Sequence, residues 1–243
     1  MDAYQYFANI YDRLICEDID YNKMATYIEK CFEKMKKKPS LVLDLACGTG
    51  NLTDILSKRG YDMIGADASC DMLNVAKGKN EDILYLCQDM RELELYGTVD
   101  AVLCMTDSLN YITDYDELCM VFKLVKNYLN PDAPFIFDMN SYYKISNIIG
   151  DNTFTYDSEN VSYIWQNEYD KNSNICSFYL TFFVSRDTET YTRFDEQHDE
   201  RAYKSEEVLD ALIRAGFEKI DIYDGYSFKK ANEETQRLVY IAR

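Results

Sequence analysis

Residues 41–52 read LVLDLACGTGNL: a short apolar run, an acid near its end, small residues at 46, 48 and 50, and then the start of a helical pattern. A strand that turns at once into a helix needs side chains small enough for a sharp backbone turn. The same turn lets a ligand approach the main chain, with the N–H groups of the helix start aimed at it. A chain organised around this turn is committed to strand–turn–helix order. The dinucleotide pattern G-x-G-x-x-G would require glycine at position 53, where the chain has Thr53.

The neighbouring sequence repeats that order. Apolar runs at Leu41–Leu45, Asp62–Ala66, Ile83–Leu86, Val99–Met105 and Pro134–Met139 predict strands, and helical patterns fall at Asn51–Lys58, Asp71–Lys77 and Tyr115–Tyr128. Strands apolar on both faces and separated by helices predict a mostly parallel sheet covered on both sides, a doubly wound, Rossmann-like α/β fold. Asp114 with Glu117 three residues on marks one helix start. An amphipathic helix is expected over Tyr21–Lys38, closed by Pro39, with Lys34, Lys36, Lys37 and Lys38 complementing its dipole.

After about Asn140 the alternation changes. Tyr163–Tyr169, Cys176–Val184 and Tyr191–Glu200 alternate with period two and are rich in Tyr, Phe and Thr, which predicts an antiparallel meander without helix. A helix opening at Ser205 and ending at Gly216 follows, then strands at Lys219–Tyr223 and Leu238–Ala242 that make an antiparallel terminal hairpin. The expected organisation is therefore one domain of residues 1–140 plus 200–243, with residues 141–199 inserted as an antiparallel β lid.

Composition narrows the partners. With 26 basic and 43 acidic residues the formal charge is −17, which repels phosphate backbones, so neither nucleic acid nor an anionic membrane is expected as a partner. No apolar run approaches the roughly 20 residues that span a bilayer, and the start carries no basic–apolar–small signal, so a cytoplasmic location is expected. The eight cysteines are scattered without C-x-x-C spacing and read as reduced, buried small hydrophobes. His198 is the single histidine. A His-rich metal site is thereby excluded, and no metal is expected.

The stretch 41–52 resembles the first motif of the class I S-adenosylmethionine-dependent methyltransferases, acid-x-small-x-Gly-x-Gly, through Asp44, Ala46, Gly48 and Gly50, with alanine in place of the first glycine. The likeness continues through MIGADAS, LCQDMREL, LCMTDSLNYI, PFIFDMN, the entry segment FANIYDRL and the later ERAYKSEEVLDALIRAGFEKI. It implies S-adenosylmethionine as cofactor and S-adenosylhomocysteine as product. It further implies that Asp67 holds the ribose hydroxyls and that Asp89, with Met90 alongside, reads the adenine amino group. Tyr11 would close over the cofactor, and Ala68, Met72 and Cys104 would complete its contacts. Carboxylates after successive parallel strands gather at the carboxyl edge of the sheet, where open α/β folds bind ligands.

Methyl transfer from a sulfonium asks the protein mainly to align three atoms and exclude water, but a nitrogen or hydroxyl nucleophile must also shed a proton. His198 is the candidate base, on a strand face shared with Phe194, Glu196 and Glu200. Insertions at this point cover the active site in similar methyltransferases, which favours a small-molecule acceptor methylated on nitrogen or oxygen. The competing readings are a nicotinamide-dependent oxidoreductase, disfavoured by Thr53 and Asp89, a binding protein that holds the cofactor without turnover, and a methyltransferase acting on protein or transfer RNA.

Overall fold

The computed structural model describes residues 19–35, 38–185 and 190–243. Tyr11, Lys36 and Lys37 lie outside the described residues. A seven-stranded sheet runs in the order β10-β11-β5-β4-β1-β2-β3, built from β1 (Leu41–Leu45), β2 (Asp62–Asp67), β3 (Leu84–Cys87), β4 (Ala101–Cys104), β5 (Phe135–Asn140), β10 (Ile220–Asp224) and β11 (Arg237–Ala242). All neighbours in it are parallel except β11, which is antiparallel to both β5 and β10. The mostly parallel sheet and its antiparallel terminal hairpin are as the sequence predicts.

Alternation along the strands explains why this sheet is covered twice. Leu43 and Leu45 of β1, Val102 and Cys104 of β4, and Phe135, Phe137 and Met139 of β5 enter one apolar core. Val42, Ala101, Leu103 and Ile136 enter the other. The second core is closed by α1 (Tyr21–Glu33) and α2 (Asn51–Lys58), and the first by α4 (Tyr115–Tyr128) and α5 (Ser205–Arg214), with α3 (Cys70–Lys79) following β2. No helix among the described residues is long and apolar enough to cross a membrane.

Three local departures from expectation have simple causes. Helix α1 ends at Glu33 because the Lys34 and Met35 amides turn back to the carbonyls of Cys31 and Phe32, tightening the last turn, while Lys34 Nζ sits 3.1 Å from the Phe228 ring centroid. At α4 the Asp114 carboxylate accepts from the amides of Asp116 and Glu117 as a cap should, but Glu117 does not reach back; its carboxylate takes Arg91 Nη1 at 3.2 Å. The third concerns cysteine. Cys70 and Cys87 form a disulfide, with Cα atoms 5.5 Å apart, although a spacing of 17 residues carries no motif. Parallel pairing of β2 with β3 places Cys87 opposite Asp67, and the turn into α3 brings Cys70 back to it. Cys31, Cys104 and Cys176 are free and buried, as the reading of small hydrophobes requires.

The second sheet has the order β6-β7-β8-β9, fully antiparallel, from β6 (Thr153–Asp157), β7 (Val161–Asp170), β8 (Ile175–Ser185) and β9 (Tyr191–Arg201). Strand β6 lies beyond the predicted three because its residues are only half covered and form no apolar run. A π-helical turn, Lys144–Ile149, leads into the sheet, and its Ile145 and Ile149 pack with Cys176, Phe178 and Ala202. Along β9 the even-numbered residues face inward and the odd-numbered ones outward, so Phe194, Glu196, His198 and Glu200 share one face.

Candidate functional site

A cavity of about 390 Å³ opens at the carboxyl ends of β1, β2, β3 and β4. That volume lies within the usual range of small-molecule and cofactor pockets. On the β1 side the turn after the strand is shaped by positive φ at Ala46 (57°), Gly48 (55°) and Gly50 (73°), the three small positions of the motif. Among the described residues, its chain neighbours aside, a Cβ placed on Gly48 would meet no atom within 4 Å, and Gly48 lines the cavity, so a ligand has room against its backbone. Gly50 does not line the cavity; a Cβ there would come within 2.8 Å of Ala76 Cβ and 2.9 Å of the Tyr85 hydroxyl, so this glycine serves packing of α2 against α3.

Asp44, Ala46, Gly48, Asp67, Ala68, Met72, Asp89 and Met90 all line the cavity. Asp44 is 3% exposed and accepts a 2.5 Å hydrogen bond from Thr53 Oγ1. Thr53, which breaks the dinucleotide pattern, is thus the residue that holds the motif acid. Burial pushes the Asp44 carboxyl up to about 7, with Thr53 opposing the shift and the charge of Asp67 adding to it. Asp67 accepts from two backbone amides, Gly48 N at Oδ2 and Ser69 N at Oδ1, each at 2.8 Å. It therefore ties the β1 turn to the β2 turn; burial raises its carboxyl and these two bonds oppose the rise. Ser69, not Asp67, caps α3 by accepting from Met72 N.

Asp89 accepts from the Arg91 amide at 2.8 Å and from Arg91 Nη2 at 2.6 Å, and the Arg91 hydrogen bond holds its carboxyl below the usual carboxylate range. The disulfide Cys70–Cys87 joins the same two loops: Cys70 opens α3 just after Asp67–Ser69, and Cys87 precedes Gln88 and Asp89. Both cysteines are exposed. Alkylation of the native protein followed by mass spectrometry is expected to show two more reactive thiols after reduction than before. Cys70→Ser is expected to lower the unfolding free energy by about 3 kcal/mol, the entropy of a loop of this size in the unfolded chain.

Cys104 is fully buried in the core beneath the site, and it is Met105 and Thr106, the next residues, that reach the cavity. Their loop is unusual: Thr106 and Asp107 have φ of 59° and 54°, an uncommon conformation for such residues. A buried polar network holds it. Asp138 accepts from the Asp107 amide at 2.7 Å, from Arg237 Nη1 at 2.7 Å and from the Tyr226 hydroxyl. Asn110 donates to the carbonyls of Asn140 and Arg201, and its Oδ1 accepts from the Asn140 amide at 2.9 Å. Asn140 also donates to Glu200, whose carboxyl burial pushes up to about 8. None of these residues stands out in sequence, since each acts through partners 30 or more positions away.

The antiparallel sheet supplies a further part of the wall. Glu196 of β9 lines the cavity together with Ser108, Tyr111 and Ile112 of the β4 loop. His198 is not among the residues that line the cavity but packs against two that do, Tyr111 and Glu196. Its ring, with the side chain 21% exposed, stacks on Tyr111 at 4.9 Å and tilts against Phe178 at 4.9 Å, and its Nδ1, buried and without a hydrogen bond among the described residues, is 3.8 Å from Glu196 Oε1. Burial lowers its pKa, against the opposing charges of Asp107 and Asp199, so the neutral imidazole is favoured. Among the described residues no group of three or more His, Cys, Asp or Glu side chains is placed to hold a metal ion.

Residues 42–132 match the family model of a methyltransferase domain. Over its whole length the chain is similar to YqeM of Bacillus subtilis (strain 168), a protein named as a methyltransferase: 34% identity over 244 residues, covering 99% of this chain and 96% of the relative. The crystal structure of a S-adenosylmethionine-dependent methyltransferase from Clostridium acetobutylicum ATCC 824 superposes with a TM-score of 0.90 at 42% identity, covering 100% of this chain and 99% of that one. A more distant similarity, 29% over 114 residues, covers 47% of this chain and 45% of a dTDP-3-amino-3,6-dideoxy-alpha-D-glucopyranose N,N-dimethyltransferase of Streptomyces fradiae.

Proposed function

The chain belongs to the S-adenosylmethionine-dependent methyltransferases of class I, and on that footing we propose that it moves the methyl group to a nitrogen or oxygen of a small-molecule acceptor. The observation that carries this reading is the single cavity wall shared by two sets of residues, the acid-bearing loops after β1, β2 and β3 and the lid residue Glu196. Along the sheet order β3-β2-β1-β4, Asp89 and Met90 take the adenine, Asp67 the ribose, and the backbone at Ala46–Gly48 the rest of the cofactor. Tyr111, Ile112 and the lid then enclose the acceptor. The fit rests on Asp67 and Gly48: the carboxylate is pre-set by two backbone bonds, and the glycine leaves room for a ligand against the main chain.

Once bound, S-adenosylmethionine supplies a methyl carbon on a positively charged sulfur. The protein's part is to align the acceptor, to keep water from the enclosed site, and to take the acceptor's proton on His198. Residues 141–199 form the lid in this reading, over a cofactor domain of residues 1–140 and 200–243. A small acceptor agrees with the amino-sugar enzyme among the distant relatives and with the charge of −17, which opposes RNA. The location inferred is the cytoplasm; five of the described cysteines are free, while the bonded pair Cys70–Cys87 argues the other way.

Calorimetric titration with S-adenosylmethionine, S-adenosylhomocysteine and the two nicotinamide cofactors tests the site, and acceptor-dependent release of S-adenosylhomocysteine separates an enzyme from a binding protein. One-to-one binding of the sulfur nucleosides alone is expected; heat from a nicotinamide cofactor instead would overturn the assignment of Asp67 and Asp89. A pH dependence follows from Asp44. Its proton is held by burial in the free protein, and a cationic ligand in the cavity favours the carboxylate, so binding releases the proton. Affinity for S-adenosylmethionine is therefore expected to rise about tenfold from pH 6 to pH 8, and to level off above the free-protein pKa. Asp44→Asn, which keeps an acceptor for Thr53, is expected to remove that part of the pH dependence.

A further inference from the structure

Resting on the methyltransferase reading, we propose that Glu196 is the acceptor-binding residue and that, with His198, it selects an acceptor bearing an aliphatic amine, seated on the carboxylate as its ammonium. Among the described residues four carboxylates line the cavity, Asp44, Asp67, Asp89 and Glu196, against one basic side chain, Arg91. That guanidinium is already engaged by Asp89 and Glu117. Three of the acids have work on the cofactor side, where Asp44 is bonded to Thr53, Asp67 holds Gly48 and Ser69, and Asp89 follows β3. Glu196 is different. It comes from the lid, and among the described residues its one ion-pair partner is His198, at 3.8 Å, beyond hydrogen-bond length.

The electrostatic consequence favours a cation over a neutral group. Glu196 is about one third exposed, enough for a ligand to reach it, and burial of the remainder raises its carboxyl. A half-buried carboxylate without a lysine or arginine is costly, and an ammonium removes that cost while a hydroxyl supplies one neutral donor. His198 then makes the amine reactive. The ammonium proton passes to the neutral imidazole, and the freed nitrogen lone pair forms the new C–N bond to the methyl carbon. The C–S bond breaks with its electron pair returning to sulfur, which leaves a neutral thioether and a methylated ammonium. Throughout, the positive charge remains beside Glu196, first on the acceptor and then on the imidazolium, whose Nδ1 faces that carboxylate. The other groups around the ring are Asp107 and Asp199, which also favour the imidazolium, and the Tyr111 and Phe178 rings.

As His198 is the only histidine, its imidazole C–H signals give a site-specific magnetic resonance readout in tag-free protein. With S-adenosylhomocysteine bound, the protein is titrated with 2-amino-2-deoxyglucose against glucose and with 1-aminobutane against 1-butanol. The amines are expected to shift the His198 signals and to bind about tenfold or more tightly than their hydroxyl counterparts, the worth of one charged hydrogen bond. In Glu196→Gln that preference is expected to vanish while affinity for S-adenosylmethionine is unchanged. Equal binding of amine and alcohol, a preference that survives in Glu196→Gln, or no response of His198 to either amine would overturn the proposal. Failure of the wild-type protein to bind S-adenosylmethionine would instead overturn the reading on which it rests.

Discussion

Replacing Asp67 with alanine is expected to weaken binding of S-adenosylmethionine and S-adenosylhomocysteine alike by a hundredfold or more. Two ribose hydroxyls on one carboxylate make two hydrogen bonds to a charged group, worth about 1.5–3 kcal/mol each, or roughly 3–6 kcal/mol together. The structure adds a second reason. The same carboxylate accepts from Gly48 N and Ser69 N at 2.8 Å, so it fixes the relative position of the β1 and β2 turns before any ligand arrives. In Asp67→Ala both amides lose their partner and the pre-set shape is lost with the ligand contacts. Asp67→Asn retains one oxygen acceptor and is expected to fall between. Calorimetry on both variants, with a thermal melt to show that the fold persists, checks the prediction; unchanged affinity in Asp67→Ala would remove the ribose role.

The fold was legible because its central strands, β1, β4 and β5, are buried on both faces. Leu41–Leu45 and Asn51–Lys58 have the bounds that the apolar runs and the small-residue turn imply, and the hairpin of β10 and β11 falls within one residue of its predicted limits. Legibility ends where a residue's role depends on what lies opposite it. Strand β6, TFTYD, alternates with period two, but over five residues that bring only Phe154 and Tyr156 to the covered side, too short a pattern to mark a strand. Cys70 and Cys87 become partners only through the parallel register of β2 with β3. Asp138, Arg237, Asn110 and Glu200 look like ordinary polar residues in the chain, yet they hold the strained loop at Thr106 and Asp107 that lines the cavity. Glu196 was visible only as a face-mate of His198. Its placement in the cavity wall depends on how the lid lies over the β4 loop, which no local pattern encodes.

His198 carries the second large effect. His198→Gln is expected to lower turnover of an amine acceptor by a factor of 10²–10⁴, the usual worth of a positioned base, with affinity for S-adenosylmethionine unchanged. Glutamine keeps much of the side chain's volume between Tyr111 and Phe178, so a loss of packing is not the expected cause. The pH profile distinguishes the two. Burial lowers the His198 pKa, hence the wild-type rate should rise with pH up to a point below the usual histidine value of about 6.5 and then stay level as far as this group is concerned. Removing the imidazole removes that acidic limb, whereas a purely structural role would reduce the rate at every pH and leave the limb in place. Glu196→Gln acts on the same limb from the other side: with one fewer negative charge 3.8 Å from Nδ1, the imidazolium is less favoured and the limb should move to lower pH. A limb that stays put in both variants would assign the proton to another group, and the buried Glu200 carboxyl, pushed up to about 8, would become the next candidate.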